Sequence, residues 1–120
     1  MAKRLLNGDF LLQFKAADWE KLAVAAEFQP EPLASLCGVK LRLLERFFRW
    51  QFGKAPHAWM RELRCRRVVA LIAEGWDLKN AGPALGFATS SHVCHEFKKA
   101  FGVSPKRFAR GVRGEGRKSP

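Results

Sequence analysis

The sequence predicts an all-α fold of about seven helices: two copies of one helical unit joined by a long central helix. Three observations carry this. There is no Tyr, Thr is scarce and period-two alternation is never sustained, whereas apolar residues recur at helical spacing throughout. Glycine and proline fall where helices end and begin. A segment also repeats, because at an offset of 49 FRWQFGKAPHAW (48–59) lies on FKKAFGVSPKRF (97–108). Phe48, Phe52, Gly53, Pro56 and Trp59 then match Phe97, Phe101, Gly102, Pro105 and Phe108, and Arg49 matches Lys98. A shared frame of aromatic, basic, Gly and Pro positions implies two copies of one structural unit.

The elements follow in order. Asp18 is placed to cap a first helix carrying Trp19, Leu22 and Ala26 on one face, ending before Gln29-Pro30. A short helix runs from about Pro32 to Cys37, and Gly38 supplies the left-handed residue of a tight turn. An apolar and basic helix spans about 41–52 and stops at Gly53. Helix, glycine turn, helix is the helix-turn-helix pattern. Pro56 opens a long helix to about Glu74, with Trp59, Met60, Leu63, Val68, Leu71 and Ile72 as its buried stripe and Gly75 at its end. A second helix pair follows. The expected organisation is an N-terminal extension (1–17), a domain over 18–109 and a basic, Gly-rich, disordered tail (110–120). Within the domain, one helix-turn-helix covers about 18–54, the linker helix about 56–74 and the second helix-turn-helix about 77–109.

Composition narrows the function classes. The chain has 120 residues, 48% hydrophobic and 28% charged, which suits one modest globular core. No apolar stretch reaches the roughly 18 residues of a bilayer span, and the N-terminus has no cleavable leader pattern, so a cytoplasmic location is expected, with no membrane partner. Three cysteines, Cys37, Cys65 and Cys94, suit neither a disulfide framework nor a CxxC metal site and are expected as reduced, buried thiols. The net charge is +11. Residues 1–40 hold five bases and five acids and 74–105 three of each, whereas 41–73 hold eight bases against two acids and 106–120 six against one. Concentrated positive charge of this kind is the electrostatic footprint expected for a polyanion.

The motifs now on the page carry a family resemblance. LASLCGVKLRLLERFFRWQFG followed by APHAWMRELRCRRVVALI, then NAGPALGFATSSHVCHEFKKAFGVSPKRF, resembles the DNA-binding domain of AraC/XylS-type transcription regulators over roughly residues 18–109. The resemblance implies two homeodomain-like helix-turn-helix units bridged by a long helix, each presenting one recognition helix to a major groove. It also implies double-stranded DNA as partner, activation through contact with RNA polymerase, and a monomer on DNA as in the stand-alone members, since 17 residues cannot form a sensing domain.

Within the first recognition helix, Leu44, Phe47, Phe48 and Phe52 fall on one face and Arg42, Glu45, Arg46 and Arg49 on the other. Arg can pair with both O6 and N7 of guanine, and Glu can accept from the N4 amine of cytosine. Arg42, Glu45 and Arg46 also match the positions that the resemblance assigns to base contact. Arg49 lies further along and reads as a phosphate clamp. The i,i+4 spacing of Glu45 and Arg49 equally permits a surface ion pair worth a few tenths of a kcal/mol. Trp50 falls near the basic face, where it can pack on the sugar-phosphate backbone.

In the second unit Thr89 is placed to cap the recognition helix, leaving Ser90, Ser91, His92 and His95 outward and Val93, Phe97 and Phe101 inward. Thr89, the backbone amides beside it and Lys98 are placed to hold phosphates. The position of His95 usually carries Arg in the family, so this unit is expected to discriminate bases less than the first. In the first unit Lys40 stands where the family's recognition helix usually has a capping Ser or Thr; in the second, Gly82-Pro83 interrupts the first helix, which together with the low polarity of its recognition helix makes this unit the expected looser half. His92, Cys94 and His95 lack the carboxylate or second cysteine that a metal site requires. With no phosphate loop and no Ser/His/Asp set, neither an enzyme nor a cofactor is expected. The alternatives are an architectural module that coats DNA without reading it and an interaction domain that binds protein.

Overall fold

The computed structural model describes residues 9–112, and their regular structure is entirely helical. A 3-10 turn (Asp9–Gln13) leads into seven helices: α1 (Ala16–Ala25), α2 (Pro30–Cys37), α3 (Leu41–Phe52), α4 (Pro56–Ala73), α5 (Leu78–Ala84), α6 (Ser90–Phe101) and α7 (Pro105–Val112). The chain divides into two compact units within α4, after Met60. Helix α7 runs three residues into the segment expected as tail, and 113–120 lie outside the described residues.

The first unit is organised around Trp19, which is 1% exposed. Its indole meets the rings of Phe14, Phe47 and Phe48 at centroid distances of 5.2, 5.7 and 4.9 Å, separations at which aromatic pairs add to their area burial. Leu33, Leu44 and Phe48 of the same unit are fully buried. Leu11 of the 3-10 turn is fully buried as well, and Phe14 meets Trp19, so buried residues begin ahead of position 18, where the domain is expected to start. Asp18 also differs from expectation. It is the third residue of α1, and its Oδ2 accepts from the Lys15 N–H at 2.8 Å, reaching back to the helix start from inside the first turn.

In the second unit Cys65, Val68 and Val69 of α4 pack with Ala81, Phe87, Val93 and Phe97, and Phe101 and Phe108 close the cluster. Leu71 and Ile72 sit at its margin rather than within it. Pro83 has no N–H to donate, and α5 stops one residue later after only seven residues. Gly82 has a different role from the interruption expected of it. A Cβ there would lie 2.9 Å from Val93 Cγ2, so glycine is what lets α5 approach the recognition helix so closely.

Helix starts distinguish the units. Asp77 Oδ1 accepts from Asn80 N–H at 3.0 Å, Thr89 Oγ1 from His92 N–H at 3.0 Å and Ser104 Oγ from Arg107 N–H at 3.2 Å. Each such cap is worth about 1 kcal/mol. In the first unit, Gln29 and Lys40 stand at N-caps without a side-chain hydrogen bond. The second unit thus has compensation for its short α5, and the uncapped recognition helix is α3. Replacing Lys40 with Ser should therefore stabilise the protein by about 1 kcal/mol, read as a higher denaturant midpoint at unchanged slope. An unchanged or lower midpoint would show that the α3 N-terminus is already satisfied by water.

The sequence repeat is also a repeat of geometry. Phe48 and Phe97 are both fully buried. Phe48 meets Phe52 at 4.8 Å and Trp59 at 5.5 Å, while Phe97 meets Phe101 at 5.2 Å and Phe108 at 5.5 Å. Gly53 and Gly102 end their helices at φ 76° and 79°, donating to the carbonyls of Arg49 and Lys98 respectively. In each unit this aromatic triad joins the recognition helix to the helix that follows. It fixes which face of α3 and of α6 is left for solvent.

Candidate nucleic-acid interface

On α3 the division of faces follows the expected pattern. Leu44, Phe47 and Phe48 are buried, Phe52 is half-buried, and Arg42, Glu45, Arg46 and Arg49 are exposed. The ion pair that the Glu45–Arg49 spacing permits is not formed. Glu45 instead lines a shallow hollow with Leu41 and with Gln29, Pro30, Glu31 and Pro32 from the start of α2. Three guanidinium groups and a carboxylate thus project from one helical surface with their hydrogen-bonding atoms available to a ligand. Trp50, 69% exposed and 6.1 Å from the Phe47 ring, stands at the end of this surface.

On α6, Ser90, Ser91, His95 and Lys98 are exposed and, with Cys94, line one shallow concavity. His92 departs from its expected outward position. It is half-buried, its ring lies edge-on to Phe87 at 5.2 Å, and its Nδ1 accepts from the Ala88 N–H at 3.4 Å. An imidazole folded back onto the turn before its own helix supports that turn instead of projecting from it. Thr89 is committed as the N-cap, so its Oγ1 accepts from the backbone, which leaves its hydroxyl hydrogen as the donor for a phosphate.

Cys94 lines this concavity beside the residues that the sequence singles out on α6. It is half-buried rather than buried and occupies, in the repeat, the place of Glu45. Cys37 and Cys65 are buried thiols, and burial pushes the Cys65 thiol up to about 12. Lys99 follows Lys98 on the exposed side of α6, and Lys106 and Arg107 are exposed in the first turn of α7.

The bases of the stretch 41–73 do not share one environment. Arg42, Arg46 and Arg49 face solvent on α3, whereas three arginines of α4 are engaged within the second unit. Arg61 Nε meets Glu96 Oε1 at 3.0 Å. Arg64 Nε donates to the Leu85 carbonyl at 3.0 Å, with its guanidinium 4.0 Å over the Phe87 ring, and burial lowers its pKa from the ordinary value. Arg66 lies 5.2 Å over the Phe101 ring. Cations used in this way hold the turn and α6 in place and contribute less to a phosphate footprint than their number suggests.

Among the described residues no three His, Cys, Asp or Glu side chains gather as metal ligands, and no helix is long and apolar enough to cross a membrane.

Two units, each closed by an aromatic triad and each leaving one face of a glycine-terminated helix exposed and polar, define a tandem helix-turn-helix protein. Residues 33–111 match the helix-turn-helix domain family of AraC type, and the chain belongs to that family. The protein is accordingly a DNA-binding transcription regulator. Its fold is similar to that of a probable AraC family transcriptional regulator from Rhodopseudomonas palustris CGA009, with a TM-score of 0.57 and 21% identity over 77% of this chain and 91% of that one. No curated protein matches the sequence.

Proposed function

We propose that this protein recognises a specific double-stranded DNA site as a monomer, with α3 and α6 in successive major grooves, and that it activates transcription in the cytoplasm by contact with RNA polymerase. The observation that supports it most is the exposed surface of α3, where Arg42, Glu45 and Arg46 stand together on the face opposite the aromatic core. In this reading Arg42 and Arg46 donate to guanine, Glu45 accepts from cytosine, and Arg49 holds a phosphate. On α6, Ser90, Ser91 and His95 reach base edges, while Thr89 and Lys98 hold the backbone. His92 supports the turn and has no direct contact. Helix α4, at 18 residues and so about 27 Å, carries the chain from one unit to the other.

Selection of bound duplexes from a random pool, followed by competition with bulk DNA, tests this reading. A sequence reader should prefer its selected site by at least about a thousandfold. Equal competition by bulk DNA would identify a coating protein, the reading that the net charge of +11 alone would favour.

The roles within α3 are separable. Arg46→Ala should cost about 1 to 3 kcal/mol on the selected site and relax preference at one base pair, measured by titrating single-substitution duplexes. Arg49→Ala should weaken matched and mismatched duplexes alike. Interchanged results for the two variants would reverse the assignment.

A further inference from the structure

The two recognition helices differ at each of the four positions that α3 offers to DNA. At the offset of 49, Arg42, Glu45, Arg46 and Arg49 of α3 become Ser91, Cys94, His95 and Lys98 of α6. At the place of Arg46, a side chain that is cationic at every physiological pH gives way to imidazole, the side chain type that can carry or lack a charge within the physiological range. We propose that His95 is the base-discriminating residue of the second unit and that it acts as an imidazolium, so that engagement of α6 with DNA takes up a proton. The inference rests on the DNA-binding reading above and adds to it a chemical requirement of the second groove.

Three features of the structure favour His95 for this role. It is exposed, in the concavity that α6 itself forms from Ser90, Ser91, Cys94, His95 and Lys98. The neighbouring carboxylate, Glu96, is held by Arg61 of α4 at 3.0 Å and so is not available to offset the added charge. The other histidine of α6, His92, is turned onto Phe87 and the Ala88 N–H.

The remaining charged groups near α6 lie elsewhere. Helices α5 and α7 pack on it; of their described side chains, Lys79, Lys106 and Arg107 carry charge, and none lines the concavity. From α4, Arg64 is on Leu85 and Phe87 and Arg66 on Phe101. Lys98 and the Cys94 thiol are therefore the ionisable groups that share the surface with His95. Lys98 alone would disfavour a second cation, but the phosphates on either side of a major groove reverse that balance. Guanine presents acceptors at N7 and O6, and an imidazolium presents two donors and no acceptor. Proton and DNA then raise each other's affinity by the same factor.

Affinity of the full chain for a duplex carrying its selected site, measured at about pH 6 and about pH 8 at constant ionic strength, tests the proposal. Binding should be about tenfold tighter at the lower pH, the effect of roughly one pH unit of proton linkage at a single group. His95→Gln should bind weakly with no pH dependence, His95→Arg tightly at both values, and His57→Gln, altered on α4, should keep the tenfold ratio. A wild-type affinity that does not change with pH would overturn the proposal while leaving DNA recognition intact, as would a pH dependence that survives His95→Gln. Absence of duplex binding at both values would overturn the DNA-binding reading and this one with it.

Discussion

Binding of this protein to DNA should weaken about a thousandfold as monovalent salt rises from about 50 to about 200 mM. The sequence supplies the sign of this effect and the structure its size. Counting every base in residues 41–73 would give a steeper dependence than the folded protein can show. Arg61 is paired with Glu96, Arg64 is bound to the Leu85 carbonyl and Phe87, and Arg66 lies over Phe101. Withdrawing any of them to reach a phosphate would cost a contact inside the second unit. The described cations left on the recognition helices and on the first turn of α7 are Arg42, Arg46, Arg49, Lys98, Lys99, Lys106 and Arg107. With some of these reading bases, about five or six phosphates are neutralised, and a contribution of about 0.9 per phosphate gives a slope of log affinity on log salt near about −5. Arg49→Ala should reduce that slope by about one; Arg66→Ala should leave it unchanged. A wild-type slope shallower than about −2, measured by titration over the same range, would mean that these side chains do not meet the backbone.

The ease with which the fold could be read follows from how much of it is local. Glycine and proline punctuation placed α3 from Leu41 to Phe52 and started α4 at Pro56, because a left-handed glycine at the helix end and a proline in the first turn are demands of the backbone itself. The repeat gave the aromatic triads, since the same packing problem solved twice leaves the same residues at the same spacing. What escaped was set by tertiary contact. Leu11 reads as part of an extension in the sequence, whereas in the fold it is fully buried. Gly82 looked like a break because the helix it must approach, α6, begins eight residues later in sequence. Arg61, Arg64 and Arg66 could not be told from groove-facing arginines, since their partners lie some twenty or more residues away. Helical periodicity places His92 outward, but it does not register an acceptor nitrogen turning back to the Ala88 N–H at the helix start. Periodicity identifies a face; which polar side chains on it are already committed is a matter of three-dimensional neighbours.

Inserting five base pairs between the two elements of the selected site should reduce affinity by about a hundredfold or more. Two recognition helices on one chain make the second contact intramolecular, and such linkage contributes a factor of about 10² to 10⁴ over a single contact. Five base pairs is about half a turn of B-DNA, so the second element moves to the far side of the duplex, out of reach while the first remains bound. The site should also be asymmetric, because Arg42, Glu45 and Arg46 on α3 have Ser91, Cys94 and His95 as their counterparts on α6 and the two surfaces cannot prefer the same bases. A combined experiment makes the argument strict. On the intact site His95→Gln should weaken binding, whereas on the site with the insertion, where α6 no longer meets its element, the same substitution should have no effect, and the two perturbations should therefore fail to add. Undiminished affinity after the insertion, additive losses, or protection of a palindrome by two copies of the chain would each show that one protein molecule does not span two grooves.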